Sequence, residues 1–229
     1  MSDQHLVSFE CEAILFDLDG VLVDSTQCIE GTWTAWAHRL GLDPSVLLRA
    51  AHGRRARETV RLMAPQLDAV SEAARLAAYE ASAVEGVFEV SGARALLEHL
   101  PPSRWAIVTS AVRAVAEHRL RFARLPRPRV MICADDVVHG KPSADGYLAA
   151  AAKLDYAAAD CVVIEDAPAG LAAAKSAEMR AIGITATHSE HEMMDATIIV
   201  PDLAALVVEA QHGDDDTRLQ IKIRRTLQR

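Results

Sequence analysis

The stretch Ala13 to Asp24, AILFDLDGVLVD, limits what this chain can fold into more than any other. Ala13 to Phe16 and then Leu18 form an apolar run with one carboxylate, Asp17, embedded in it; Asp19 follows and Gly20 breaks the run. Apolar residues ended by glycine read as a buried strand entering a turn. Side chains two apart on a strand share a face, so Asp17 and Asp19 are expected to emerge together where the strand stops. Two like charges at the rim of an apolar core are costly unless a cation holds them. A divalent metal would do so, and hard carboxylate oxygens suit Mg2+. The plainer alternative is a turn that happens to contain two aspartates.

The rest of the chain supplies the context. Residues 1–12 read as a short polar lead-in, and Asp24 with Gln27 resembles a capping box that opens a helix. From there to about Glu89 the pattern is helical. Trp33, Trp36, Ala37 and Leu40 lie at helical spacing, Gly53 interrupts AHGRRARETVRLMAP, and an Ala- and Glu-rich helix spans about 71–83. The two tryptophans share a stripe with aliphatic residues and read as core. Beyond Val87, helices alternate with short apolar runs: WAIVTS, VMICADD, CVVIED, AIGIT and ATIIV, with a closing helix over 203–211. This rhythm predicts an α/β fold, a doubly wound, Rossmann-like parallel sheet with helices on both faces. The helical block interrupts it just after the first strand. The expected organisation is a core of 1–22 and 90–212, an inserted α-helical cap of 23–89, and a tail of 213–229 that is either a short edge strand or floppy.

Composition narrows the function classes. A net charge of −8 over 229 residues argues against broad nucleic-acid binding. No apolar run approaches membrane-spanning length and none follows a basic N-terminal region, so a cytoplasmic protein without membrane contacts is expected. Cys11, Cys28, Cys133 and Cys161 form no CxxC pair, which disfavours structural disulfides and zinc.

In open α/β sheets, ligands bind beyond the carboxyl ends of the strands. The first strand ends in Asp17 and Asp19, the second in Thr109 and Ser110, the third leads on to Lys141, and the fourth ends in Glu165 and Asp166. Carboxylates to hold a metal, a lysine and a hydroxyl to bind phosphoryl oxygens, and a carboxylate free to attack phosphorus make one chemistry. An EF-hand would need oxygen ligands where Val21 and Cys28 stand, and a P-loop would need Ser or Thr where Pro142 follows Lys141.

The pieces DLDGV, VTS, GKP and EDAPAG, in that order, resemble the four motifs of the haloacid dehalogenase superfamily. The helical insertion is similar to the subgroup with a small α-helical cap. HGRRA, EGVFEVSG, HGKP and EDAPAG look like its branch of glycerol-, deoxysugar- and hexose-phosphate phosphatases, with β-phosphoglucomutase a cousin. Ala111 stands where related sequences often have glycine. The resemblance implies an Mg2+-dependent phosphomonoesterase acting on a small phosphorylated sugar or polyol. Asp17 would attack phosphorus and ligate the metal. Asp19 would be the acid and base and lend its backbone carbonyl to the metal. Asp166 would ligate Mg2+, with Glu165 doing so directly or through water. Thr109, Lys141 and backbone N–H groups around Leu18, Gly20 and Ser110 would bind the phosphoryl oxygens. The cap residues His52, Gly53, Arg54, Arg55 and Glu80 are candidates to read the leaving group. A phosphosugar mutase differs only in where the phosphoryl group goes next. A catalytically silent phosphate-binding protein would be expected to have lost Asp17, Asp19 or Lys141.

Overall fold

The opening apolar run does form a strand with both faces covered. The computed structural model describes residues 7–83, 85–212 and 217–223. The described chain begins with β1 (Val7–Cys11), β2 (Ala13–Phe16) and the very short β3 (Val23–Asp24). Four helices follow, α1 (Thr26–Leu40), α2 (Pro44–Ala51), α3 (Ala56–Met63) and α4 (Ala69–Glu80), and then β4 (Phe88–Glu89). The alternating part comprises α5 (Ala93–His99), β5 (Trp105–Val108), α6 (Arg113–Phe122), β6 (Val130–Ile132) and α7 (Asp145–Leu154). It continues through β7 (Cys161–Glu165), α8 (Pro168–Ser176), β8 (Arg180–Ile184) and β9 (Ile198–Val200). The described chain closes with β10 (Leu206–His212) and β11 (Thr217–Ile223).

Six strands form a parallel sheet in the order β6-β5-β2-β7-β8-β9. Alternate side chains of each strand enter opposite layers. Ile14, Phe16, Ile107 and Ile164 join a cluster with α5, α6 and β11, whereas Ala13, Leu15, Val108 and Val163 pack on α7 and α8. Burial on both faces is why these strands read as continuous apolar runs rather than alternating ones. From β2 the chain builds outward through β5 and β6, then returns to the other side of β2 to lay down β7, β8 and β9. The order reverses at β2, so a crevice opens beyond its carboxyl end. This is the doubly wound α/β fold expected from the sequence.

Helices α1 to α4 enclose their own apolar cluster, centred on Trp33, Trp36, Leu47, Val60 and Leu76. The tryptophan rings meet edge-on at 5.6 Å, and Trp36 Nε1 donates to Glu72 Oε2 at 2.8 Å. This helical unit joins the sheet through two linkers, which pair with each other as β3 and β4.

Several local expectations need correcting. Asp24 does not cap α1. It ends β3 and accepts from the Thr26 backbone N–H, and Ser25 occupies the cap position. The residues 203–211 are not helical: a 3₁₀ turn, Leu203–Ala205, leads into β10. Leu203, Leu206, Val207 and Ala210 fit a helical period, but a seven-residue antiparallel partner in β11 claims the backbone hydrogen bonds. Nor is the lead-in merely polar, since β1 pairs along the other side of β11. The tail strand is therefore the middle of a three-stranded sheet, not an edge. Residues 213–216 and 224–229 of the tail lie outside the described residues.

Ile221 is fully buried beneath the large sheet. Ile221→Ala should therefore lower unfolding free energy in denaturant by about 2–5 kcal/mol. A change within about 0.5 kcal/mol, typical of a surface position, would show that β11 is not part of the folded core.

Candidate active site

The ammonium of Lys141 is the centre of the crevice. It donates to Asp17 Oδ1 and to Glu165 Oε1, both at 2.6 Å, and to the carbonyl of Val108 at 3.2 Å. Four elements meet in that contact: the ends of β2, β5 and β7, and the loop between β6 and α7. Asp17 extends the ladder of β2 by one bond, its N–H reaching Ile164 O. Glu165 has no solvent exposure. Its Oε1 also accepts from Tyr147 Oη, and its Oε2 accepts from the N–H groups of Asp166 and Ala167. Thr109 stands at the end of β5, its Oγ1 accepting from Ala111 N–H.

Asp166 completes the floor. Thr187 Oγ1 donates to its Oδ2, and Gly20 lies against the carboxylate. A Cβ on Gly20 would stand 2.0 Å from Asp166 Oδ2, and its φ of +81° is a second reason for glycine. The Gly20 N–H is turned to Val23 O at 2.8 Å, closing the turn after β2 rather than facing the crevice.

Asp17, Glu165 and Asp166 bring a ligand oxygen each to within 4.8 Å of one another, all buried. Three carboxylates share one ammonium there. The Asp17 carboxyl is pushed up to about 7, burial raising it most, with Lys141 working against the rise and Glu165 and Asp19 adding to it. Asp166 is raised well above the usual carboxylate range, by burial first and then by Glu165 and Asp17. Burial works against the Lys141 ammonium too, yet Asp17 and Glu165 outweigh it and keep the lysine charged. One ammonium among three carboxylates leaves the crevice short of positive charge, and oxygen donors at this spacing fit a small hard cation such as Mg2+.

Asp19 points elsewhere. The strand ends at Phe16, so the two-residue alternation that placed Asp17 and Asp19 on one face no longer applies. Asp19 Oδ1 accepts from Ser25 Oγ at 2.5 Å, and its Oδ2 accepts from Arg119 Nη1 at 2.7 Å. Both aspartates still line the same cavity of about 680 Å³, which runs from the crevice to the helical unit at Trp33 and Ala77.

The cap candidates divide. His52 meets the His188 ring edge-on at 5.1 Å, across the crevice. Gly53 carries φ of +67° and its carbonyl accepts from Ser110 Oγ at 2.9 Å, so Ser110 joins the two units instead of pointing to the cavity floor. Arg54 is exposed and lines the cavity. Arg55 is buried, its guanidinium donating to Val137 O and Val138 O on the loop that carries Lys141. It anchors that loop and has no free fork for a leaving group. Glu80 accepts from Arg119 Nη2 at 2.6 Å.

The sequence alone does not single out Arg119, one of several basic residues in AEHRLRFARL. A usable signal existed. Val115, Ala116, Arg119 and Leu120 fall on one helical stripe, and all four are buried.

The geometry agrees with what the chain is similar to. The family model described as haloacid dehalogenase-like hydrolase matches residues 11–178. Hexitol phosphatase A of Escherichia coli is 39% identical over 210 residues, covering 90% of this chain and 97% of that protein. The 2-deoxyglucose-6-phosphate phosphatase 1 of Saccharomyces cerevisiae is 32% identical over 232 residues, covering 89% and 92%. Among solved structures, a hydrolase from Pseudomonas syringae superposes with a TM-score of 0.70 at 27% identity, covering 83% of this chain and 93% of that one. With a family model spanning well over half its length, and its polar groups gathered at the strand ends of that fold, this chain belongs to the haloacid dehalogenase-like hydrolase family.

Proposed function

We propose that the protein is a Mg2+-dependent phosphomonoesterase acting on a small phosphorylated sugar or polyol. The observation that carries this reading is the buried carboxylate of Asp17, held at a strand end by Lys141 beside Asp166, with a second carboxylate two residues on. The relatives named above, phosphatases of a hexitol and a deoxyhexose phosphate, support the substrate class.

Asp17 attacks phosphorus through a carboxylate oxygen; the new O–P bond forms as the bond to the leaving oxygen breaks. Lys141 and Thr109 hold phosphoryl oxygens in line. Asp19 gives a proton to the departing alkoxide. It then takes one from a water that attacks the aspartyl phosphate, freeing Asp17 and inorganic phosphate. Asp17 and Asp166 would hold the metal, with Glu165 behind them fixing Lys141. Bound Mg2+ would neutralise the charge that three carboxylates and a phosphate bring together. Arg54 is the cap group best placed to meet the leaving group. The partner is a small phosphorylated metabolite, with no nucleic acid or membrane. Four buried free thiols suit a reducing compartment, consistent with a cytoplasmic protein.

Two outcomes test the chemistry. Excess chelator should abolish phosphate release and added Mg2+ should restore it; full turnover in chelator would sink the metal assignment. Asp19→Asn should cut turnover of sugar phosphates by about 10²–10⁴-fold. The first step on p-nitrophenyl phosphate should survive, because that leaving group needs little help from an acid. Rapid mixing should then show a nitrophenol burst followed by slow turnover. Equal loss on both esters, with no burst, would remove Asp19 from the acid–base role.

A further inference from the structure

The loop after β8 carries a contact that the phosphoryl chemistry above does not use. β8 pairs with β7, Gly183 opposite Glu165, so the chain past Ile184 comes up beside Asp166. There Thr187 Oγ1 donates to Asp166 Oδ2. Gly20 closes on the same oxygen: a Cβ at that position would stand 2.0 Å from Oδ2 and 3.2 Å from the Thr187 methyl. Lys141 directs its ammonium to Asp17, Glu165 and the Val108 carbonyl. Among the described residues, Thr187 is therefore the one hydrogen-bond donor to the Asp166 carboxylate, and Oδ1 accepts from none. Nor is Oδ1 sealed in, since the one buried side-chain polar atom without a partner among the described residues is Arg119 Nε. Oδ1 is left open to the cavity that Asp166 lines. The neighbouring histidine settles the direction of the Thr187 hydroxyl. His188 Nδ1 lies 2.9 Å from Thr187 Oγ1 and 3.1 Å from Asp166 O. A carbonyl can only accept, so Nδ1 carries the hydrogen and the single Thr187 proton is left for Asp166.

On the metal-dependent reading above, on which this rests, we infer that Thr187 is the positioning residue for Asp166: it withholds one carboxylate oxygen and presents the other alone, which biases the site toward Mg2+ and against Ca2+. Mg2+ is small and demands near-ideal octahedral geometry, whereas Ca2+ accepts a carboxylate through one oxygen or both and tolerates irregular shells. A carboxylate free to rotate can offer either oxygen or the pair. One gripped at Oδ2 by a hydroxyl, with a glycine backbone against it, offers a single oxygen in a fixed direction. Hydrogen bonds to a ligating carboxylate set metal affinity nearly as strongly as the ligand itself. Thr187 does this from a strand end whose own apolar run, AIGIT, gives no sign of a polar site.

The test is titration calorimetry of the full chain with Mg2+ and, separately, with Ca2+, in the absence of any substrate. Thr187→Val keeps the shape of the side chain and removes its donor. It should raise the Mg2+ Kd by about 10- to 100-fold. The Ca2+ Kd should change by less than about threefold, because a second carboxylate oxygen can compensate. Thr187→Ser keeps the hydroxyl and should hold the Mg2+ Kd within about threefold of the unaltered chain, a rescue that loss of packing alone would not give. Thr187→Ala, a smaller variant without the hydroxyl, should repeat the loss seen with valine. An unchanged Mg2+ Kd in Thr187→Val, an equal loss in Thr187→Ser, or equal weakening of both metals would overturn the positioning role. So would failure of the unaltered chain to bind Mg2+ at all. Phosphate release from a hexitol phosphate is measured apart. If the unaltered chain binds Mg2+ but releases no phosphate, the phosphatase reading falls, and the calorimetry still decides the role of Thr187.

Discussion

A buried ammonium between two carboxylates is the contact on which the rest depends. Lys141 reaches Asp17 and Glu165 from a loop, and each partner is fixed by other means: Asp17 by the ladder of β2, Glu165 by Tyr147 and two backbone N–H groups. Removing one member of such a buried pair typically costs about 3–5 kcal/mol, because the partner is left charged and unsolvated. The loop is held in turn by Arg55, which crosses from the helical unit to Val137 and Val138. The charge at the floor therefore constrains the position of an element more than one hundred residues away from Asp17 in sequence (Lys141) and of the unit above it.

That arrangement explains why the site straddles two apolar clusters instead of lying within one. The sheet core supplies a rigid floor whose carboxylates are crowded and short of positive charge, a condition that favours a metal and an anionic phosphoryl group together. The helical unit has a core of its own and contributes ties rather than floor: Gly53 to Ser110, His52 to His188, Arg55 to the lysine loop and Glu80 to Arg119. A rigid base with a separately folded lid can bind phosphate tightly while leaving group recognition varies with the lid.

The floor was legible in the sequence because strands buried on both faces leave an unbroken apolar run, against which Asp17, Thr109 and Glu165 stand out. Their order along the chain then falls at neighbouring carboxyl ends of one sheet. Other features were hidden for physical reasons. Arg55 and Arg119 look like members of solvated basic runs, and only tertiary packing shows that both are buried and engaged. Residues 206–211 satisfy a helical and a strand period alike, and the partner that decides between them, β11, lies further along the chain in the tail. Asp24 has the residue type of a cap but is drawn into the pair of linkers, β3 with β4.

The central claim is that Asp17 forms a covalent bond to phosphorus. Acid quenching of the Mg2+-loaded protein during steady turnover of p-nitrophenyl phosphate, followed by peptide mass spectrometry, tests it directly. The account predicts a phosphoryl group on the peptide containing Asp17, lost on mild hydroxylamine treatment and absent from Asp17→Asn. Sustained phosphate release with that peptide unmodified, or with the phosphoryl group on another residue, would contradict it.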